Sequence, residues 1–338
     1  MKGWIPMKKI ISWLCVLALA LSLCAPVALA DDKELKDFEV ILDWYPNAMH
    51  TFLYIAQEKG YFAEEGLNVT LTPPAGFSDA LSFPVAGRAQ VGLYYMSDLV
   101  NAYVNEGMPV QIIGALTQTS LNVLASLTES GIATPDQIKG KIVGYTGGSG
   151  LEAKIRTLTR QVGLNDTDYE LIDIGFDIIT ALTTKNVDVV GGGMVNSEMI
   201  ELEHAGFDVS YWNWVDFGVP QEYNTVFLTS QAQYQQDPEL FAAFLRACKK
   251  GFDDMKADPE AALALIMSKS SAEYALTEEV EREGFKVLLP IMETADAPFL
   301  SMDNAVWTNL MTWMHETQQI DKVVDPAEFV VDVLYGDE

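Results

Sequence analysis

Basic residues are scarce in this chain: 21 lysines and arginines face 48 aspartates and glutamates, a formal net charge of −27 over 338 residues. A nucleic-acid binder needs a positive footprint, so that class is set aside. An anionic membrane surface would also repel the chain. Histidine and cysteine are rarer still, at three each. With His50, His204 and His315 as the only imidazoles and no Gly-x-Ser-x-Gly, hydrolytic nucleophile chemistry has thin support. No Walker loop and no Gly-x-Gly-x-x-Gly fingerprint occurs, which removes the two commonest nucleotide cradles.

The one long apolar run lies at the start. Lys8 and Lys9 precede an almost uninterrupted apolar stretch from Ile10 to Leu23, and Ala28-Leu29-Ala30 forms a small-x-small site before Asp31-Asp32. This order predicts a signal peptide over residues 1–30, cut after Ala30, and export to the periplasm or another extracytoplasmic space. The run is short of the ~20 residues that span a bilayer. A lipid anchor at Cys24 is the alternative, disfavoured by the bulky leucine in Leu21-Ser22-Leu23 where a lipobox takes a small residue. Export leaves Cys248 as the sole cysteine, so no intrachain disulfide is expected despite an oxidising destination. Stability then rests on an ordinary core, for which a chain with 49% hydrophobic residues has ample material.

Strand-like and helix-like segments alternate along the rest. Phe38–Leu42, Asn68–Leu71, Val91–Tyr95 and Val110–Leu116 read as strands. His50–Lys59 reads as a helix stopped by Gly60, and Ser78–Ala86 as a partial helix interrupted by Pro84. A second unit begins near Leu121. In it Thr134-Pro135-Asp136-Gln137 is a capped helix start, and Lys141–Tyr145, Tyr169–Ile174 and Val187–Val190 are strands. A helix after Gly150 carries Leu151, Ile155, Leu158 and Val162 on one stripe. Tyr223–Thr229 is strand-like and is expected to return the chain to the first unit. From Asp237 the pattern is almost wholly helical, with three Asp-Pro starts at Asp237, Asp258 and Asp325. The fold class is therefore α/β in two lobes: lobe 1 is discontinuous over 31–121 and 226–338, lobe 2 spans 122–225, and the helical tail packs on lobe 1.

Several residue groups bear on chemistry. Glu201 and His204 have the Glu-x-x-His spacing of di-iron bundles, but no second copy exists, so Glu198 and Glu201 are read as a solvated helix face and no metal is expected. Gly147-Gly148-Ser149-Gly150 joins a strand to a helix. Its N–H groups can hold an anion or an oxygen-rich ligand edge, or it is a tight turn that needs glycine. Asp43-Trp44-Tyr45 and Tyr94-Tyr95 end strands, where ligands bind in α/β sheets. Flat rings there stack on a flat ligand and Asp43 accepts from an amino group, while about half of these rings belong to the core by strand alternation. Trp212 and Trp214 are two apart and are expected to share a face, in the core or on a ligand wall.

The stretch from Leu42 through Asp43-Trp44-Tyr45-Pro46-Asn47-Ala48-Met49-His50, continued by TFLYIAQEKGYFAEEGLNVTL, resembles the thiamine-pyrimidine-precursor binding proteins of ABC importers. Their ligands are hydroxymethylpyrimidine or formylaminopyrimidine. The same superfamily holds the fungal-type pyrimidine synthase and alkanesulfonate, taurine and riboflavin-type binding proteins. GRAQVGLYY, IKGKIVGYTGGSG and VDVVGGG match as well, so the resemblance covers about residues 38–230. It implies a type II periplasmic-binding-protein clamshell with a ligand cleft between the lobes. It implies ligand contacts from Asp43, Trp44, Asn47, His50, Tyr94, Tyr95, Gly147, Gly148, Ser149, Met194, Asn196 and Tyr223. The implied partners are a small-molecule ligand, the ABC permease and its ATPase subunit, with the protein acting as a monomer without a cofactor. Riboflavin-type or alkanesulfonate-type ligands are the nearest alternatives.

The synthase resemblance predicts a lysine at Tyr94, a histidine at Asp98 and a cysteine-rich stretch before the returning strand, and none is present. A tyrosine has no amine, so no Schiff base with pyridoxal phosphate can form there. Pyrimidine-binding relatives also tend to carry a glutamate just after the VDVVGGG-type strand. Here Met194-Val195-Asn196 follows, with Glu198 further on.

Overall fold

A computed structural model describes residues 35–336 apart from Glu273; the expected leader and Cys24 lie outside the described residues. Ten strands form two five-stranded sheets among the described residues. The first contains β1 (Lys36–Ile41), β2 (Leu67–Thr72), β3 (Val91–Tyr95), β4 (Val110–Ala115) and β10 (Thr225–Ser230), in the order β2-β1-β3-β10-β4. The second contains β5 (Asn122–Leu127), β6 (Ile142–Tyr145), β7 (Glu170–Asp173), β8 (Val189–Met194) and β9 (Val209–Trp212), in the order β7-β6-β8-β5-β9. Each sheet has a parallel core, and one strand of each, β10 or β5, runs antiparallel to its neighbours.

Strand alternation sorts the core of the first half into two layers. Phe38 and Val40 of β1 and Val91 and Leu93 of β3 face the Thr51–Glu58 helix and the tail helices, where Phe52, Phe244, Phe252 and Phe285 gather. Ile41 and Tyr94 face the opposite layer, with Leu99 and the tail's Trp307 and Met311. The tail thus packs on the first sheet. Its Asp-Pro starts work as caps: Asp237 accepts from the N–H of Leu240, Asp258 from Ala261 and Asp325 from Ala327. The last of these opens a 3-10 turn, not an α-helix.

Two strands were not anticipated. Asn122–Leu127 lies inside the second sheet, between β8 and the edge strand Val209–Trp212. Trp212 and Trp214 both pack on the same core layer, beside Leu124, and neither lines a ligand wall. The strand ends at Trp212, and Trp214 opens a 3-10 turn that buries its ring and sends Nε1 to Asn122 Oδ1 at 2.8 Å. The two segments linking the sheets are tied by Asn224. Its Oδ1 accepts from the N–H groups of Leu121 (3.0 Å) and Asn122 (3.3 Å) and from Nδ2 of Asn122 (2.9 Å). Its own N–H donates to Thr117 Oγ1 at 3.2 Å.

Candidate functional site

The carboxyl ends of β1, β3, β6 and β8 converge on a cleft between the two sheets, the position where open α/β sheets present side chains to ligands. It encloses about 630 Å³, counting the volume open to solvent. The first half supplies Asp43, Trp44, Asn47, Met49, Phe77, Tyr95 and Asp98. The second supplies chiefly Asn122, Thr146, Gly147, Lys154, Met194 and Glu198, with Leu151, Ile178, Gly192 and Ser197 filling the wall.

Asp43 is the most constrained of these. Its Oδ1 lies 2.9 Å from Nε2 of His50, and its Oδ2 accepts from the Tyr95 hydroxyl at 3.3 Å. A carboxylate only accepts, so His50 carries its proton on Nε2 and donates it; Nδ1 is buried without a partner. His50 is fully buried, so it holds Asp43 in place and does not line the cleft. It ends the 3-10 turn Ala48–His50, which Asn47 caps by accepting from the Met49 N–H at 2.9 Å. Asn47, not Asp43, therefore caps this turn.

The rings divide by strand geometry. Tyr95 faces the cleft and stacks on Phe77, with centroids 5.7 Å apart and planes at 12°. Burial, and then the Asp43 charge, push its hydroxyl well above the usual tyrosine range. Tyr94 points the other way into the core, where burial again raises its hydroxyl pKa. Trp44 meets Phe176 edge-on at 4.2 Å, a contact between the two halves. Tyr223 is not in the cleft either. It is buried beside Trp307, and its hydroxyl accepts from the Asp303 N–H at 2.7 Å.

Across the cleft, Gly147 lines the wall, Gly148 turns the chain with φ 82°, and Ser149 starts the Ser149–Gln161 helix. Asp98 Oδ1 accepts from the Gly150 N–H at 3.1 Å, and the Ser149 N–H also bonds the same carboxylate. Burial pushes the Asp98 carboxyl up to about 6, against the pull of those N–H groups and Lys154. Lys154 is itself buried and paired with Glu222, whose Oε2 accepts from Ser97 Oγ at 2.7 Å.

Met194 lines the cleft, while Asn196 is buried behind it with Oδ1 unpartnered. Glu198 overturns the expectation of a solvated face. It lines the cleft, and its Oε2 accepts from the Met194 N–H at 2.9 Å and Ser197 Oγ at 2.6 Å. As the first residue of the Glu198–His204 helix, its side chain folds back over the helix start. A carboxylate therefore stands against the end of β8 although the sequence places it four residues on. Burial raises its pKa. Glu201 is exposed as expected, and His204 lies 3.4 Å from Glu283.

A family profile described as NMT1/THI5 like matches residues 47–262. The chain belongs to this family. It is 35% identical over 317 residues to a formylaminopyrimidine-binding protein of Halalkalibacterium halodurans, covering 94% of this chain and 96% of that protein. It is 31% identical over 230 residues to a 4-amino-5-hydroxymethyl-2-methylpyrimidine phosphate synthase of Legionella pneumophila, covering 67% and 72%. In structure it is similar to the periplasmic aliphatic sulphonate binding protein SsuA from Escherichia coli. There the TM-score is 0.67 at 14% identity, over 87% of this chain and 97% of that one. The architecture is the α/β two-sheet fold of type II periplasmic binding proteins.

Sequence reasoning missed Phe77, Asn122, Thr146 and Lys154 as wall residues, and mentioned Asp98 only as a departure from the synthase pattern. Lys154 follows Gly150 by one helical turn, a spacing that would have put it on the loop's face of the helix. Asn122 carried no such signal, because its strand was not recognised. Among the described residues, no group of three or more His, Cys, Asp or Glu is placed to hold a metal ion, and no helix is long and apolar enough to cross a membrane.

Proposed function

We propose that this protein is the extracytoplasmic solute-binding component of an ABC importer. It captures a thiamine-precursor aminopyrimidine, such as hydroxymethylpyrimidine or its formylamino relative, and hands it to a permease driven by its ATPase subunit. The observation that carries this reading is the pairing of rings and carboxylates in one cleft. Trp44, Phe77 and Tyr95 offer flat apolar faces, and Asp43 and Glu198 offer charged acceptors from opposite halves. An aminopyrimidine presents a flat ring with an exocyclic N–H₂, which suits stacking and carboxylate acceptance together. The likeness to the formylaminopyrimidine-binding protein over nearly the whole chain supports the same ligand class.

The pyrimidine-synthesising alternative needs an amine to hold pyridoxal phosphate. Tyr94 offers a phenol turned into the core, and Lys154 is committed to Glu222. Those residues do not fit the group, and the binding role is the better reading.

Mass spectrometry of material copurified with the protein, followed by calorimetric titration, tests it. Hydroxymethylpyrimidine or formylaminopyrimidine should bind and quench tryptophan emission. Trp44→Ala should weaken binding by ~1–3 kcal/mol, the scale of a lost ring stack. A protein that carries a sulfonate or flavin and ignores every aminopyrimidine would refute the ligand class.

A further inference from the structure

We propose that Asp98 is a specificity residue that fills the cleft's anion position with the protein's own carboxylate, so that the ligand is accepted without a phosphate group and its phosphate ester is rejected. The inference rests on the aminopyrimidine reading above and says which member of that class can enter.

A glycine-rich turn leading into a 13-residue helix at the end of a strand is the arrangement that receives anions, through free N–H groups and the positive end of the helix dipole. In this protein the first two N–H groups of the helix are already used. Gly150 donates to Asp98 Oδ1 at 3.1 Å and Ser149 bonds the same carboxylate. The seat is cut to fit. A Cβ on Gly148 would stand 2.9 Å from Asp98 Oδ1, and one on Gly150 would stand 2.5 Å from Ser97 Cβ. Glycine at both places lets the helix that bears Ser97 and Asp98 approach the loop from the other half.

The charges around the seat point the same way. Lys154 is the cation that lines the cleft, and Glu222 pairs it before any ligand arrives. Ser97 holds Glu222 from the Asp98 side. Asp43 and Glu198 complete an acidic lining. A phosphate dianion would have to displace Asp98 from its N–H donors and then face Asp98, Asp43 and Glu198 across the same cleft. An alcohol or amide substituent meets no such repulsion.

The test compares wild type, Asp98→Ser and Asp98→Asn by calorimetric titration with hydroxymethylpyrimidine and with its phosphate ester. Wild type should favour the alcohol by about a hundredfold or more, the scale set by like-charge juxtaposition. Asp98→Ser, which frees the helix start, should shrink that preference by about tenfold or more. Asp98→Asn keeps an accepting oxygen and the side-chain volume, so it should fold like wild type and shrink the preference by less. A second arm needs no pyrimidine: inorganic phosphate, at ionic strength matched with chloride, should raise the melting temperature of Asp98→Ser and leave wild type unmoved. If wild type ignores aminopyrimidines altogether, the ligand reading fails, and the phosphate arm still judges Asp98. Equal wild-type affinity for alcohol and ester would overturn the proposal. So would an Asp98→Ser protein that gains nothing for phosphate in either arm. Should Asp98→Ser not fold, Asp98→Asn carries both arms, and an unchanged preference there counts against the proposal.

Discussion

Glu281 sits on the Glu278–Met292 helix, 6% exposed, and its Oε2 accepts from the Ala48 N–H at 2.6 Å. That bond anchors the turn which ends at His50, and His50 in turn holds Asp43. Burial, with the charges of Glu198 and Glu201 added, pushes its carboxyl from 4.5 up to about 7 against the pull of the Ala48 N–H. The unfolded chain releases this proton near pH 4.5, while the folded chain keeps it until about pH 7. Folding is therefore favoured by protonation, and stability should fall as pH rises through that window. At 1.36 kcal/mol per pH unit the loss amounts to about 3 kcal/mol once the group is ionised in both states. Glu281→Gln keeps an oxygen for Ala48 and removes the charge. The variant should match wild type at pH 4.5 and exceed it by about 3 kcal/mol at pH 8. Urea unfolding of both proteins across this range reads the difference directly. Asp98 and Glu198 are also raised, but they are present in both proteins and cancel. Curves that stay parallel from pH 4.5 to 8, or a variant less stable at pH 8, would refute the assignment of a neutral, buried Glu281.

Two further outcomes follow from the cleft. Asp43→Ala strands the buried donors of His50 and Tyr95, so it should cost about 1–3 kcal/mol of stability per orphaned group and lower aminopyrimidine affinity ten- to a hundredfold. Asp43→Asn, with one oxygen for two donors, should lose less of both, and wild-type affinity in a folded Asp43→Ala protein would remove Asp43 from the binding set. Gly150→Ala places a methyl 2.5 Å from Ser97 Cβ, an overpacking that should cost about 1–3 kcal/mol and force the Asp98 contact open. Ligand-dependent compaction in solution scattering should then disappear, and a variant that still compacts like wild type would deny this contact a part in closure.

Strand ends and helix starts were legible in the sequence because their signals are local. Val91–Tyr95 alternates in and out by its pleat, so that one of Tyr94 and Tyr95 had to face away from the core side of the other. The Asp-Pro pairs cap whatever helix follows, since the acceptor and the donor are three residues apart. Asp43 and Trp44 could be placed at the cleft from their position just past β1. What a single segment does not contain was left to the tertiary structure. Asn122–Leu127 is a strand through its partners β8 and β9, 65 or more residues away in sequence. Which tyrosine of the pair lined the cleft depended on where the helices packed. Asp98 meets Gly150 across 52 residues, Lys154 meets Glu222 across 68, and Ser97 meets Glu222 across 125. A charged side chain in isolation reads as solvated, because water is its cheapest partner. These became wall and seat only when folding removed the water and supplied partners from distant parts of the chain.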